Sequence, residues 1–318
     1  MIERLQYFPV TLFASVMGIA GVALAWRRAA RVWRIPEWPY QAWFWLALGV
    51  FVFLALLYLV KAFRHPEALR EEWHHPIRLA FIPTITIGLI LLATAGQDIM
   101  PPVASVLWWV GAVGHLLLTV AVISAWFRRG GVQLGQVTPA WFIPIVGNVI
   151  TPLAAPQVGN LELGWFSFGT GLVFWVAFLP ILLHRVVLHD QPLPTKLVPS
   201  LAIFIAPPAV AMLSWQSLTG GLADPFSMVL YSAAALFALL LFAQVGHLRT
   251  IPFALSYWAY AFPVAALATA SIALGSARQQ PVYSAIGLAL LVLATLLVIG
   301  IAALTLRAAL GGKILIPE

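Results

Sequence analysis

Residues 251–276 read IPFALSYWAYAFPVAALATASIALGS, and the fold turns on how they are read. Between Arg249 and Arg278 lie 28 residues without a formal charge. As a helix they would extend roughly 42 Å, longer than the ~30 Å hydrocarbon core of a bilayer. Phe262-Pro263 stands in the middle. Proline offers no N–H to the carbonyl of Ala259 and its ring pushes that carbonyl aside, so the helix is expected to kink. In lipid such a break is tolerated where protein or water re-satisfies the freed carbonyl. Phe262, Ala266, Thr269 and Ala273 fall on one helical face. A large ring rising from small residues has the form of a plug in a narrow pore. A lipid-facing or core phenylalanine beside an ordinary proline kink is the competing reading.

The rest of the chain has the same character. Of 318 residues, 62% are hydrophobic and 8% charged, where a soluble domain carries about 25% charged residues. The class is a polytopic membrane protein. Cysteine is absent, which excludes disulfides, thiolate catalysis and Cys-ligated metals. The opening MIERLQYF carries Glu3 beside Arg4 and no small-residue cleavage site follows, so the first membrane segment is expected to be retained.

Apolar runs bounded by charges, Pro and Gly predict ten membrane helices, at about 7–26, 41–63, 78–95, 102–127, 140–155, 161–184, 197–217, 225–246, 253–275 and 282–307. Pro9, Pro83, Pro144, Pro207 and Pro263 all fall in odd-numbered helices, each shortly after an aromatic residue: Phe8, Phe81, Phe142, Phe204 and Phe262. Their spacings are 74, 61, 63 and 56 residues. The pattern reads as five tandem helical hairpins in one all-α domain over residues 1–318, each with one broken and one continuous helix. Five such units can close into a ring. The Pro-kinked helices then belong inside, around a central pore that can satisfy their backbone.

Lys and Arg set the orientation. Twelve fall on the side of the N-terminus and five on the other, where RRAARVWR is read as the first loop. The excess places both termini in the cytoplasm. All ten acidic residues lie in loops or at helix ends. His115, in the fourth helix, is the one titratable candidate near mid-membrane for a proton relay, and a hydrogen-bonded packing histidine is the plainer reading. His74-His75 has no ligand-like partners at helical spacing, so no metal site is expected. No phosphate-binding loop, dinucleotide fingerprint or nucleophile elbow is present. The expectation is therefore no enzyme, no cofactor and no nucleic-acid partner, but a conduit. A lumen without carboxylates does not repel anions, although the basic residues are equally explained by topology.

The segment 253–263, FALSYWAYAFP, resembles the ninth helix of the family that holds the plant guard-cell slow anion channels and the bacterial tellurite-resistance protein TehA. Phe81-Ile82-Pro83 after Trp73-His74-His75-Pro76, and the run 138–144, TPAWFIP, resemble it too. The resemblance spans nearly the whole chain. It implies a homotrimer in a bacterial inner membrane, each subunit with its own pore for small inorganic anions. It also implies that Phe262 occludes that pore, with Phe81 as a second constriction. Chloride and nitrate are the expected ions. A proton-coupled C4-dicarboxylate, sulfite or tellurite exporter is the alternative. The short predicted tails leave little room for the long phosphorylated extensions of the plant channels.

Overall fold

The computed structural model describes residues 2–130, 133–221 and 223–316. Glu318 and the side chains of Glu3 and Arg129, which enter the charge pattern above, lie outside the described residues. Ten apolar helices follow in order: α1 Val10–Trp33, α2 Trp38–Arg64, α3 Arg78–Gly96, α4 Pro101–Arg128, α5 Pro139–Leu153, α6 Leu161–Val187, α7 Thr195–Leu218, α8 Pro225–Ala243, α9 Leu255–Arg278 and α10 Pro281–Leu310. All but α5 are long and apolar enough to cross a membrane. A helix that the sequence pattern did not predict, Pro66–His74, joins α2 to α3.

Burial separates the two sets. In the most apolar stretch of α1, α3, α7 and α9, between 72% and 89% of residues are buried; in α2, α4, α6, α8 and α10 the share is 17% to 39%. Every residue of α5 from Ile143 to Ile150 is buried. The inner helices neighbour one another in a closed cycle, α1 to α3 to α5 to α7 to α9 and back to α1. Each outer helix packs on the inner helix of its own hairpin and on the next inner helix, so that α10 returns to α1. Apolar side chains on the outer set face outward, as a lipid-solvated surface requires.

Each inner helix starts in 3₁₀ form and then winds as α. The 3₁₀ turns are Val10–Leu12, Arg78–Phe81, Pro139–Phe142, Thr195–Ile205 and Leu255–Tyr257. They form a second closed cycle of neighbours. Pro9 precedes the first of these turns, and Pro83 precedes the α portion of α3. Pro144 and Pro207 occupy first-turn positions of the α portions of α5 and α7. A first turn has no use for the missing N–H, so proline costs little there. Pro263 stands inside the α portion of α9, Trp258–Arg278. The outer helices α2, α4, α8 and α10 carry proline at the first or second position for the same first-turn reason.

In three hairpins the outer helix crosses the inner one at a glycine. A Cβ at Gly111, Gly171 or Gly287 would come within 2.6–2.8 Å of the side chain of Ile90, Val149 or Ile272, and within 2.9–3.0 Å of the same residue's backbone nitrogen. Without hydrophobic driving force between helices in lipid, such close backbone approach supplies the contact energy.

Candidate functional site

All five inner helices wall one cavity of about 500 Å³. On α9 its lining includes Phe262, Ala266, Thr269 and Ala273 and continues to Ala277. Fifteen residues of rise make that wall about 22 Å long. On α1 the lining runs from Gly21 to Arg31, and on α7 from Val210 to Ser217. These helices run the same way, so the cavity opens toward their C-terminal ends. It stops at the level of Gly21 and Phe262, and none of the 3₁₀ turns lines it.

Phe262 is 5% exposed, although the cavity reaches it. A Cβ at Gly21 would stand 3.1 Å from Cδ2 of the Phe262 ring and 3.2 Å from Cβ of Ala265. One turn earlier, a Cβ at Gly18 would lie 2.6 Å from Cβ of Ala261. The glycines of α1 therefore let α9 approach and leave the ring its place. The other aromatic residues ahead of the prolines lie elsewhere. Phe8 packs on Tyr58 at 6.4 Å between ring centres, and Phe142 meets Phe204 edge-on at 5.5 Å. Phe81 is half-buried in the 3₁₀ turn of α3 and does not line the cavity. Phe81 and Phe262 enter no aromatic pair among the described residues.

The open end is basic. The first helix was expected to stop near residue 26, with RRAARVWR as a loop; instead α1 continues to Trp33 and carries three of these arginines on its last turns. Ala25, Ala29 and Ala30, strong helix formers and buried, extend it. Arg27 Nε donates to Asp98 Oδ2 at 2.6 Å and its Nη1 to the carbonyl of Thr94 at 2.7 Å; Arg31 Nη2 donates to the same carboxylate oxygen at 2.5 Å. Partial burial would raise the Asp98 pKa, but the hydrogen bonds and charges of Arg27 and Arg31 outweigh it and hold the carboxyl below the usual range. Arg28 lines the cavity and has no carboxylate within 4 Å among the described residues.

His115 lies away from the cavity. It is fully buried; its Nε2 donates to the carbonyl of Pro144 at 2.9 Å and its Nδ1 lies 2.9 Å from the Thr86 hydroxyl. A Cβ at Gly147 would fall 2.1 Å from the imidazole, so that glycine makes its space. The ring thus ties α4 to α3 and α5. His74 and His75 bond to backbone of their own segment, and no group of three or more potential ligands able to hold a metal ion occurs among the described residues.

At the N-terminal end a buried ion pair braces the start of α1. Lys61, 1% exposed, donates to Glu72 Oε1 at 2.6 Å and to the carbonyl of Phe8 at 2.8 Å. The Tyr58 hydroxyl donates to the other Glu72 oxygen at 2.8 Å. Lys61, counted as a topology residue from sequence, is thus a structural one.

Comparison with known proteins gives a family and relatives. The family model described as "Voltage-dependent anion channel" (SLAC1) matches residues 7–306. The S-type anion channel SLAH3 of Arabidopsis thaliana is 27% identical over 306 residues, 94% of this chain and 48% of that protein. The tellurite resistance protein TehA homolog of Haemophilus influenzae is 26% identical over 266 residues, 83% of this chain and 80% of that protein. The guard cell S-type anion channel SLAC1 of Arabidopsis thaliana is 25% identical, over 89% of this chain and 52% of that protein. The chain spans about half the length of these plant relatives.

Proposed function

This chain belongs to the voltage-dependent anion channel family, and from that premise we propose that it is a passive channel for small monovalent anions, chloride and nitrate, whose pore is occluded by the ring of Phe262. The family's anion transport and the multi-pass membrane architecture support this reading. The observation that carries it is the cavity itself: five inner helices enclose it, three arginines stand at its open end, and it stops at Phe262. No acidic side chain lines it among the described residues, which suits an anion path. Phe81 is assigned a second constriction on the side of the 3₁₀ turns. Both termini face the cytoplasm of a bacterium with the protein in its inner membrane, so the arginine mouth faces outward. The complete engagement of His115 by packing partners weighs against proton coupling.

The test is current across a planar bilayer in chloride and in nitrate. Phe262→Ala is expected to raise conductance at least about tenfold, since the gate's energy is that of one side chain. Phe81→Ala added to it is expected to raise it further. A Phe262→Ala protein that conducts no more than wild type removes the gate. Saturable, pH-dependent uptake by vesicles without current replaces the channel by a carrier.

A further inference from the structure

We propose that the arginine mouth holds a discrete anion-binding site built by Arg28 and Gln216. Gln216 on α7 is 6% exposed, lines the cavity, and its Nε2 is a buried donor without a partner among the described residues. A buried amide N–H left unbonded is costly, and native structures rarely keep one without a ligand or water to take it. Three of the four hydroxyl side chains on the lining, all but Ser276, already give their protons to carbonyls. Thr94, Thr269 and Ser217 spend their protons on the carbonyls of Ile90, Ala265 and Leu153 at 2.8, 2.8 and 3.3 Å. Arg27 and Arg31 are committed to Asp98. Arg28 on α1 is the guanidinium left over, half-buried on the same cavity. A donor amide on one wall and an unneutralised cation on another recognise a small anion with accepting lone pairs, a halide or a nitrate. The unpaired charge of Arg28 disfavours a cation there.

The site rests on the channel reading only for its role as a stage on the permeation path; its existence is a separate matter of binding. The first arm of the test uses bromide as the probe. Crystals of the full chain soaked in bromide are expected to show an anomalous peak beside Gln216 and Arg28. Arg28→Gln with Gln216→Leu should abolish it, and Arg28→Lys, which keeps the charge, should retain it. No peak at this place, or a peak unchanged in the double variant, overturns the site. If the double variant fails to fold, Arg28→Gln alone is used, with at least a tenfold loss of occupancy-weighted affinity expected. The second arm measures bromide conductance against bromide concentration in the Phe262→Ala background. Arg28→Gln is expected to move half-saturation about tenfold higher; an unchanged curve overturns its role in permeation. A bromide peak with a silent Phe262→Ala protein would retain the site and discard the gate.

Discussion

Five aromatic residues precede five prolines in the sequence, and a single chain offers no way to rank them. The structure does so through their neighbours. Phe8, Phe142 and Phe204 are buried against other rings, whereas Phe262 stands at the inner limit of the cavity opposite Gly21. The face Phe262, Ala266, Thr269 and Ala273 was legible because helical periodicity alone groups it. Gly21 was not, since its role depends on which helix lies opposite. Lys61 and Glu72 were equally hidden: one counted toward orientation and the other fell in a loop or at a helix end, yet each is buried with the other. Removing one partner strands a buried charge, so Lys61→Met is expected to cost about 3–5 kcal/mol, visible as a lower melting temperature in detergent. A melting curve matching wild type would show the pair to be dispensable. Asp98 sets a pH limit of known sign. Its folded pKa is depressed, so its ion pairs stabilise in full above the ordinary carboxylate range and are lost progressively as pH falls from that range through the lowered value. Wild-type melting should therefore hold from neutral pH down to the ordinary carboxylate range, fall between that range and the lowered value, and level off below it, while Asp98→Asn should lack that acid limb. An identical acid limb in both proteins would assign it to other groups.

At the scale of the element, the ten helices and the alternation of broken and continuous segments could be read from apolar run length and proline position. How each helix breaks could not. The change from 3₁₀ to α winding depends on the ring of neighbouring turns, and those contacts are distant in sequence. The end of α1 was misplaced because four arginines in eight residues resemble a loop; Asp98, some seventy positions away, pairs with two of them and offsets one of their two charges. The glycine crossings between hairpin partners were also invisible, because small residues are common throughout the chain. They make a direct expectation. Gly287→Leu on α10 must push α10 away from the backbone of Ile272 and should cost about 1–3 kcal/mol or more in thermal stability. Gly300→Ala on the same helix, with no atom within 4 Å of its added Cβ, should be neutral or stabilise by up to about 1 kcal/mol. Equal losses at both positions would mean that glycine serves α10 by flexibility and not by close contact.

For the whole molecule, every inner helix has two inner neighbours and every outer helix packs on two inner helices, so the ring of helices closes within one chain. The proposed homotrimer then carries three separate paths. Mass measurement in detergent is expected to give three times the 34.6 kDa chain. Single-particle currents of Phe262→Ala should fall into equal, independent steps. A monomer by mass, or one indivisible conductance from a trimer, would revise that picture. The closed cycle of five also fixes a width. Five touching rods in a ring leave a central hole of about 0.7 rod diameters, which at helix spacings of 8–10 Å is about 6–7 Å. Four rods would leave about 4 Å and six would leave about 9 Å. The number of repeats in the gene thus acts as a calibre. On the channel reading proposed above, a bore of that size would pass dehydrated ions in single file and be spanned by one phenyl ring; adding or deleting a hairpin would change the size of what could pass before any side chain was altered.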